Sequence, residues 1–304
     1  MTIQPSLHQG GDALTLATRE LELTVTTSVG PRIVSFRARR GRNLFFEFPE
    51  DAPRANGLLL RGGHRLWHAP EDIVRTYQPD DDPLEVRRLP KGVALAQPVE
   101  PQTGLQKAIA IELLGERTVR VTHTLSNRGL WPVECAPWAV TMLRGKGAYG
   151  VVPLLPKGSH ARGDLLPTYT LIPWSYTDLA LPLWDFHRDY LGMDVNRAKE
   201  AQKLGLSAYP GWAACWLGGD VFVKHAPVLS GAAYPDFGSA FETFTNGEMI
   251  EFESLGRLGR IEPGRSVRHV EHWTVLTRQP RPDTDAAYRR KLLPAVSAWL
   301  KTLP

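Results

Sequence analysis

Apolar and polar residues alternate with a period of two along almost the whole chain, and this confines the fold to antiparallel sheet. In residues 20–26, Leu21, Leu23 and Val25 share one face. Gly30-Pro31 turns the chain into residues 32–36, and residues 43–48 follow as a further strand. Residues 107–114 and 117–125 flank Gly115-Glu116 as a hairpin. Residues 212–217 and 221–225 flank Gly218-Gly219-Asp220, whose glycines tolerate the positive φ of tight hairpin turns. Residues 248–254 and 267–275, separated by Pro263-Gly264, complete the series.

Helical spacing arises in two places. Residues 193–204 have helical character with Gly205 as a cap. Residues 284–303 place Tyr288, Leu292, Val296, Trp299 and Leu300 on one face, with Pro294 as a kink. No strand–helix–strand alternation and no glycine-rich phosphate loop is present, which argues against nucleotide binding. The chain has no internal repeat or linker, so residues 1–304 are expected to form one all-β antiparallel sandwich with a C-terminal helix. A globular chain of this length buries roughly 75% of its unfolded surface and needs no staples.

Charge narrows the partners. The net charge is +4, with both signs interspersed. The densest basic stretch, residues 37–42, reads as a charged turn, so no nucleic-acid partner is expected. No apolar run is long enough to span a membrane, and residues 1–11 carry no apolar signal segment. The only cysteines, Cys135 and Cys215, form neither a disulfide framework nor a metal motif. A cytoplasmic location without a cofactor is the expectation; the oligomeric state is left open.

The most unusual segment is Gly62-Gly-His-Arg-Leu-Trp-His-Ala-Pro-Glu71. As a strand it puts His64, Leu66 and His68 on one face and Arg65 and Trp67 on the other. An indole beside a guanidinium suits a sugar, whose C–H face packs on the ring while its hydroxyls take directed donors. The same pair equally suits a core tryptophan with a structural arginine–carboxylate contact. His64 and His68 have no third ligand at a diagnostic spacing, so no metal is expected. His123 shares the apolar face of Val119, Val121 and Leu125 and reads as a core histidine. A second cluster runs from Phe222-Val-Lys-His225 through Tyr234-Pro-Asp236 and Glu242 to Glu251-Phe-Glu253. There Glu251 reads as solvent-facing, and Glu253 as either a solvent-facing carboxylate or a general base. The proline-rich residues 152–182, with Tyr169, Trp174 and Tyr176, form a loop of the kind that carries sites on β scaffolds.

Several of these pieces resemble the galactose mutarotase-like (aldose 1-epimerase-like) superfamily. They are residues 62–71, residues 127–141 with Ala-Pro-Trp-Ala-Val-Thr, Tyr234-Pro-Asp236, Glu251-Phe-Glu-Ser-Leu-Gly256, Pro263-Gly264 and Glu271-His-Trp273. The resemblance spans roughly residues 12–277. It implies a large twisted supersandwich with a sugar cleft across its concave face. It also implies a glutamate that removes the anomeric hydroxyl proton and a histidine that protonates the ring oxygen. Glu253 matches the glutamate, but where the histidine is expected the chain reads Trp138-Ala-Val-Thr141.

The resulting expectation is a carbohydrate-binding isomerase of aldose 1-epimerase type. Glu253 is the base and His64 or His68 the acid, with His225 a further possibility. Arg65, Trp67, Glu71, Trp138, Trp174, Lys224, Tyr234 and Asp236 hold the small-molecule sugar. The alternatives are a non-catalytic sugar-binding or sensing protein on the same scaffold and, after it, an oligosaccharide lyase or hydrolase.

Overall fold

Two large antiparallel sheets lie face to face in the computed structural model, which describes residues 1–304. The first has 11 strands, and its centre runs Arg32–Ala38, His64–Ala69, Val133–Arg144, Met249–Leu255, Phe241–Thr245 and Gln202–Leu206 in spatial order. The second has 10 strands, centred on Trp212–Leu217, Asp220–His225, Ser266–Leu276, Thr118–Asn127 and Leu105–Leu114. This is the all-β sandwich that the alternation predicts. Burial in Leu105–Leu114 alternates residue by residue, as a strand with one solvated face requires. His64–Ala69 and Met249–Leu255 are instead buried at every position. Their outward face is therefore covered as well, and that cover defines the site.

Between the sheets the aromatic side chains of Phe36, Phe45, Phe222 and Trp273 meet largely edge to face, with centroids 5.7–5.9 Å apart. Such contacts add to the burial of their large apolar areas. One continuous apolar core extends from Leu16 to Val275 and takes side chains from both sheets. No helix is long and apolar enough to cross a membrane. Cys135 and Cys215 are both free and buried.

Local expectations hold at the hairpins and fail at one helix. Leu105–Leu114 pairs with Thr118–Asn127, and Trp212–Leu217 with Asp220–His225. Residues 193–204, expected as a helix, form the end of the strand Tyr190–Asp194, a single 3₁₀ turn Val195–Arg197 and the start of the strand Gln202–Leu206. The Asp194 carboxylate accepts the Asn196 N–H and starts that short turn. Ladder pairing of Gln202–Leu206 with Phe241–Thr245 then overrides the helical spacing. Residues 43–48 contribute isolated bridges at Phe45 and Glu47 rather than a strand. Pro263-Gly264 does not close a hairpin within one sheet, because Gly259–Ile261 and Ser266–Leu276 belong to opposite sheets.

The C-terminal helical segment runs from Asp285 to Leu300, started by the Thr284 hydroxyl, which accepts the Ala287 N–H. Its turn before Pro294 widens to π geometry over Tyr288–Leu292. A proline supplies no N–H to the preceding turn, which accounts for the irregularity. Tyr288, Leu292, Val296 and Trp299 pack on the outer face of the second sheet.

Candidate functional site

Strand register assembles the site on the outward face of the first sheet. Val140 lies opposite both Arg65 and Glu253, and Glu253 lies opposite Glu242. Arg65, Val140, Glu253 and Glu242 thus form one row across four strands. A parallel row contains Met142, Glu251, Phe244 and Lys203. Because side chains two apart share a face, both rows point the same way. Above them lies a cleft of about 410 Å³ walled by Trp67, Tyr77, Trp138 and Tyr176, with Arg65, Lys203 and Glu251 reaching into it. Another hollow, of about 460 Å³, lies against the C-terminal helix by Ala295, Ala298 and Trp299, but no buried ionisable group lines it.

The charges are locked together. Lys203 Nζ lies 2.8 Å from Glu242 Oε2 and 2.8 Å from Glu253 Oε2. The Trp138 indole N–H also donates to Glu253 Oε2, at 2.8 Å. The Lys203 ammonium sits 4.7 Å from the Trp138 ring and 4.8 Å from the Trp174 ring, where cation–π attraction adds to the ion pairs. Arg65 stacks over Trp67 at 3.7 Å, and its Nη2 is 3.9 Å from Glu251 Oε1. Three buried polar atoms here lack a hydrogen-bond partner: Arg65 Nε, Glu242 Oε1 and Glu253 Oε1. Buried polar groups are ordinarily paired, so such a convergence marks a place for ligand atoms.

Burial divides the carboxyl groups. It pushes Glu251 up to about 8, reinforced by Glu253 and opposed by Arg65. Glu242 is also pushed up to about 8, by burial first, with Lys203 opposing and Glu253 and Asp236 adding. Burial alone would lower the Lys203 ammonium, but Glu253 and Glu242 together outweigh it and hold it well above its usual range. Arg65 is lowered by burial to about 10 and remains a cation at neutral pH.

Most of the residues proposed from sequence come together here. Arg65, Trp67, Glu71, Trp138 and Trp174 all border the cleft or its lysine. Glu71 is exposed at the rim and accepts the Tyr77 hydroxyl at 2.5 Å. Tyr234 packs against the apolar cluster that includes Trp67 and Trp138, and its hydroxyl accepts the Leu229 N–H at 2.8 Å. Burial raises the Asp236 carboxyl. Glu251, read from sequence as solvent-facing, is buried and lines the cleft.

His64, His68 and Lys224 do not join this site. Arg65 shares a row with Glu253, so its neighbours on the strand must point the other way, into the sandwich. His64 Nε2 meets His123 Nε2 at 2.7 Å, and Lys224 Nζ meets Glu271 Oε1 at 2.7 Å, both fully inside. His68 lies on the same interior face and feels Lys107 across the core. His225 points out of the second sheet beside His272.

The interior network is internally satisfied. His123 Nδ1–H donates to the His269 carbonyl, which leaves Nε2 to accept from His64. His64 Nδ1 then accepts the Thr141 hydroxyl, which accepts from Lys224. Ligand atoms of His64, His123 and Glu271 lie within 4.8 Å of one another, a metal-like spacing that the residue spacings did not foretell. The Lys224 ammonium on Glu271 already supplies the cation there, and a divalent ion beside it would meet an uncompensated like charge. Burial lowers His64, His123, His269 and Lys224 alike.

No protein-family model matches the sequence, and no curated protein matches it. Solved structures do. A galactose mutarotase-like protein from Lactobacillus casei superposes with a TM-score of 0.58 at 9% identity, over 87% of this chain and 100% of the other. A galactose mutarotase-like protein from Clostridium acetobutylicum gives 0.58 at 9% identity, over 91% and 98%. A TPR-domain containing protein from Parabacteroides distasonis gives 0.60 at 11% identity, over 89% of this chain but only 48% of its own length. The fold is therefore the galactose mutarotase-like sandwich.

Proposed function

We propose that the cleft binds a carbohydrate and exchanges its anomers by paired proton transfer, as an aldose 1-epimerase does. The observation that carries this reading is a pair of carboxyl groups two residues apart on one strand face, in opposite environments. Glu253 Oε2 accepts from an ammonium and an indole N–H, the surroundings of a carboxylate. Glu251, pushed up to about 8, keeps its proton at neutral pH. An ion-paired carboxylate beside a carboxyl group that keeps its proton is the arrangement of a base and an acid. Two residues apart on a strand, the side chains leave the backbone about 7 Å apart. That is room for an anomeric hydroxyl and a ring oxygen between them.

In this reading Glu253 Oε1 takes the proton of the anomeric hydroxyl while Glu251 gives its proton to the ring oxygen. The C1–ring oxygen bond breaks and leaves an open-chain aldehyde. Rotation about C1–C2 and reclosure return both protons and yield the other anomer. Glu251 takes the place of the histidine that the chain lacks, and Trp138 and Trp67 receive the C–H face of the sugar. Proton NMR of anomer exchange over a panel of neutral, amino, phosphorylated and acidic monosaccharides tests the proposal. Exchange above the buffer rate with at least one sugar, lost in Glu253→Gln, is the expected result. Rates equal to buffer throughout the panel remove it.

One observation favours the second reading, a sugar-binding protein without turnover: Glu253 is wholly buried, with 0% exposure. Quenching or a shift of tryptophan emission by a sugar whose anomers do not exchange selects that reading.

A further inference from the structure

Arg65 is a buried cation whose hydrogen-bonding capacity is almost unused. It is 4% exposed and lines the cleft. Its Nε has no hydrogen-bond partner, and its Nη1 meets only the Met142 thioether, a weak acceptor, at 3.7 Å. Its Nη2 stands 3.9 Å from Glu251 Oε1, beyond hydrogen-bond reach. The Trp67 ring, 3.7 Å from the guanidinium carbon, attracts the charge but accepts none of the in-plane N–H groups. Lys203, the other cation of the cleft, is by contrast fully engaged, 2.8 Å from both Glu242 and Glu253. Glu251, the nearest carboxyl group to Arg65, keeps its proton at neutral pH and supplies no full counter-charge. Buried charges are ordinarily paired, so the cleft holds one cation in want of an anion.

We propose that Arg65 receives the carboxylate of an acidic sugar, which makes a uronate the substrate class of the cleft. This inference rests on the reading of the cleft as an epimerase site and deepens it. Arg65 and Lys203 flank the Met249–Leu255 strand from opposite sides; Lys203 holds Glu253, and Arg65 leans towards Glu251. In that reading Glu253 faces the anomeric hydroxyl and Glu251 the ring oxygen. Arg65 therefore stands at the far side of the ring oxygen from C1, beside C5. In a uronate, C5 carries the carboxylate. The free Nε–H and Nη2–H of one guanidinium edge form a planar fork that matches the two oxygens of a carboxylate. A phosphate ester fits less well. Its near-double charge would meet a single unpaired cation, with the Glu253 carboxylate on the same strand face as Glu251.

Titration of tryptophan emission at neutral pH and fixed ionic strength tests this, with sugars that share a ring and differ only at C6. One set is galactose, galacturonate, the methyl ester of galacturonate and galactose 6-phosphate; the matching glucose and mannose sets complete the panel. In at least one set the uronate is expected to bind about 10- to 100-fold more tightly than the neutral sugar, as a hydrogen-bonded charge pair provides. It should also bind more tightly than the phosphate, and the methyl ester should bind like the neutral sugar. Arg65→Gln is expected to bring uronate and neutral sugar to equal affinity, and Arg65→Lys to keep part of the difference. The ester comparison uses the unmodified protein and decides the matter even where a variant fails to fold. A uronate that binds no more tightly than its ester in every set overturns the inference, and so does tightest binding by a phosphate. Anomer exchange of a neutral sugar without any uronate preference overturns this inference alone. Uronate-selective binding with exchange no faster than buffer overturns the epimerase reading alone and leaves the carboxylate site.

Discussion

Lys203 reaches from the Gln202–Leu206 strand across its neighbour to place its ammonium 2.8 Å from Glu253 Oε2, two strands away. That single contact ties the floor of the cleft into one electrostatic unit. Removing one partner of a buried ion pair leaves the other without compensation and costs about 3–5 kcal/mol. Lys203→Met is therefore expected to lose roughly that much stability in urea unfolding. If the variant remains folded, its anomer exchange should fall, because Glu253 Oε2 loses the ammonium that holds the carboxylate in place. Unchanged stability with an unchanged exchange rate contradicts this account.

In the proposed anomer exchange, Glu251 should set the alkaline side of the pH–rate curve. With its carboxyl pushed up to about 8, the acid is protonated at neutral pH and loses its proton above that value. The rate of anomer exchange should fall as pH rises through about 8. Glu251→Gln should cost about 10²–10⁴-fold at neutral pH, the usual contribution of one positioned proton donor. Tryptophan emission should still report sugar binding in that variant, because Trp67 and Trp138 are untouched. A pH–rate curve flat to about pH 10 would show that the acid lies elsewhere.

The alternation of residues 64–68 was legible from sequence, but which face looks into the sandwich was not. That choice depends on the register of Arg65 with Val140 and of Val140 with Glu253, contacts more than seventy residues apart. Once they are known, His64 must be interior, and an acid on that face cannot reach Glu253. Lys203 escaped notice because 3₁₀ turn Val195–Arg197 and a five-residue strand mimic helical spacing. Glu251 was misjudged because nothing local foretells the cover over its strand. The hairpins needed no such information, since their glycine turns and alternating flanks are local. The all-β class followed from the same local pattern.

Buried imidazoles give the fold an acid-sensitive edge. Burial lowers His123 and His269 to about 3, from an unfolded value of 6.5. Folded values below unfolded ones mean stability that is complete above about 6.5 and is lost as pH falls towards about 3. Glu242 and Glu251 act in the opposite sense. Burial raises both to about 8 from 4.5, so their contribution is complete below about 4.5 and is lost as pH rises through about 8. The two slopes oppose each other between about 4.5 and 6.5, so the melting temperature should be highest there and decline on both sides. A melting temperature unchanged from about pH 4.5 down to about pH 3, where these two carboxyl groups no longer contribute a slope, would mean that the histidines are not neutral in the fold.

Gly205 ties cleft shape to a missing side chain. It faces Glu242 in the ladder, and a Cβ added there would lie 2.5 Å from Ser239 Oγ and 3.2 Å from Trp174 Cζ3. The serine hydroxyl cannot swing away freely, because it donates to the Phe241 carbonyl at 3.1 Å. Gly205→Ala should therefore displace the Trp174 ring, which lies over the Lys203 ammonium at 4.8 Å. Overpacking of this kind costs typically about 1–3 kcal/mol, which leaves a well-packed sandwich folded. Sugar affinity should drop by about tenfold if Trp174 gives up a contact worth roughly 1 kcal/mol or a little more. Isothermal titration with the sugar that exchanges best, alongside a thermal melt, separates the two effects. A variant that binds normally despite lower stability would place Trp174 outside the ligand contact.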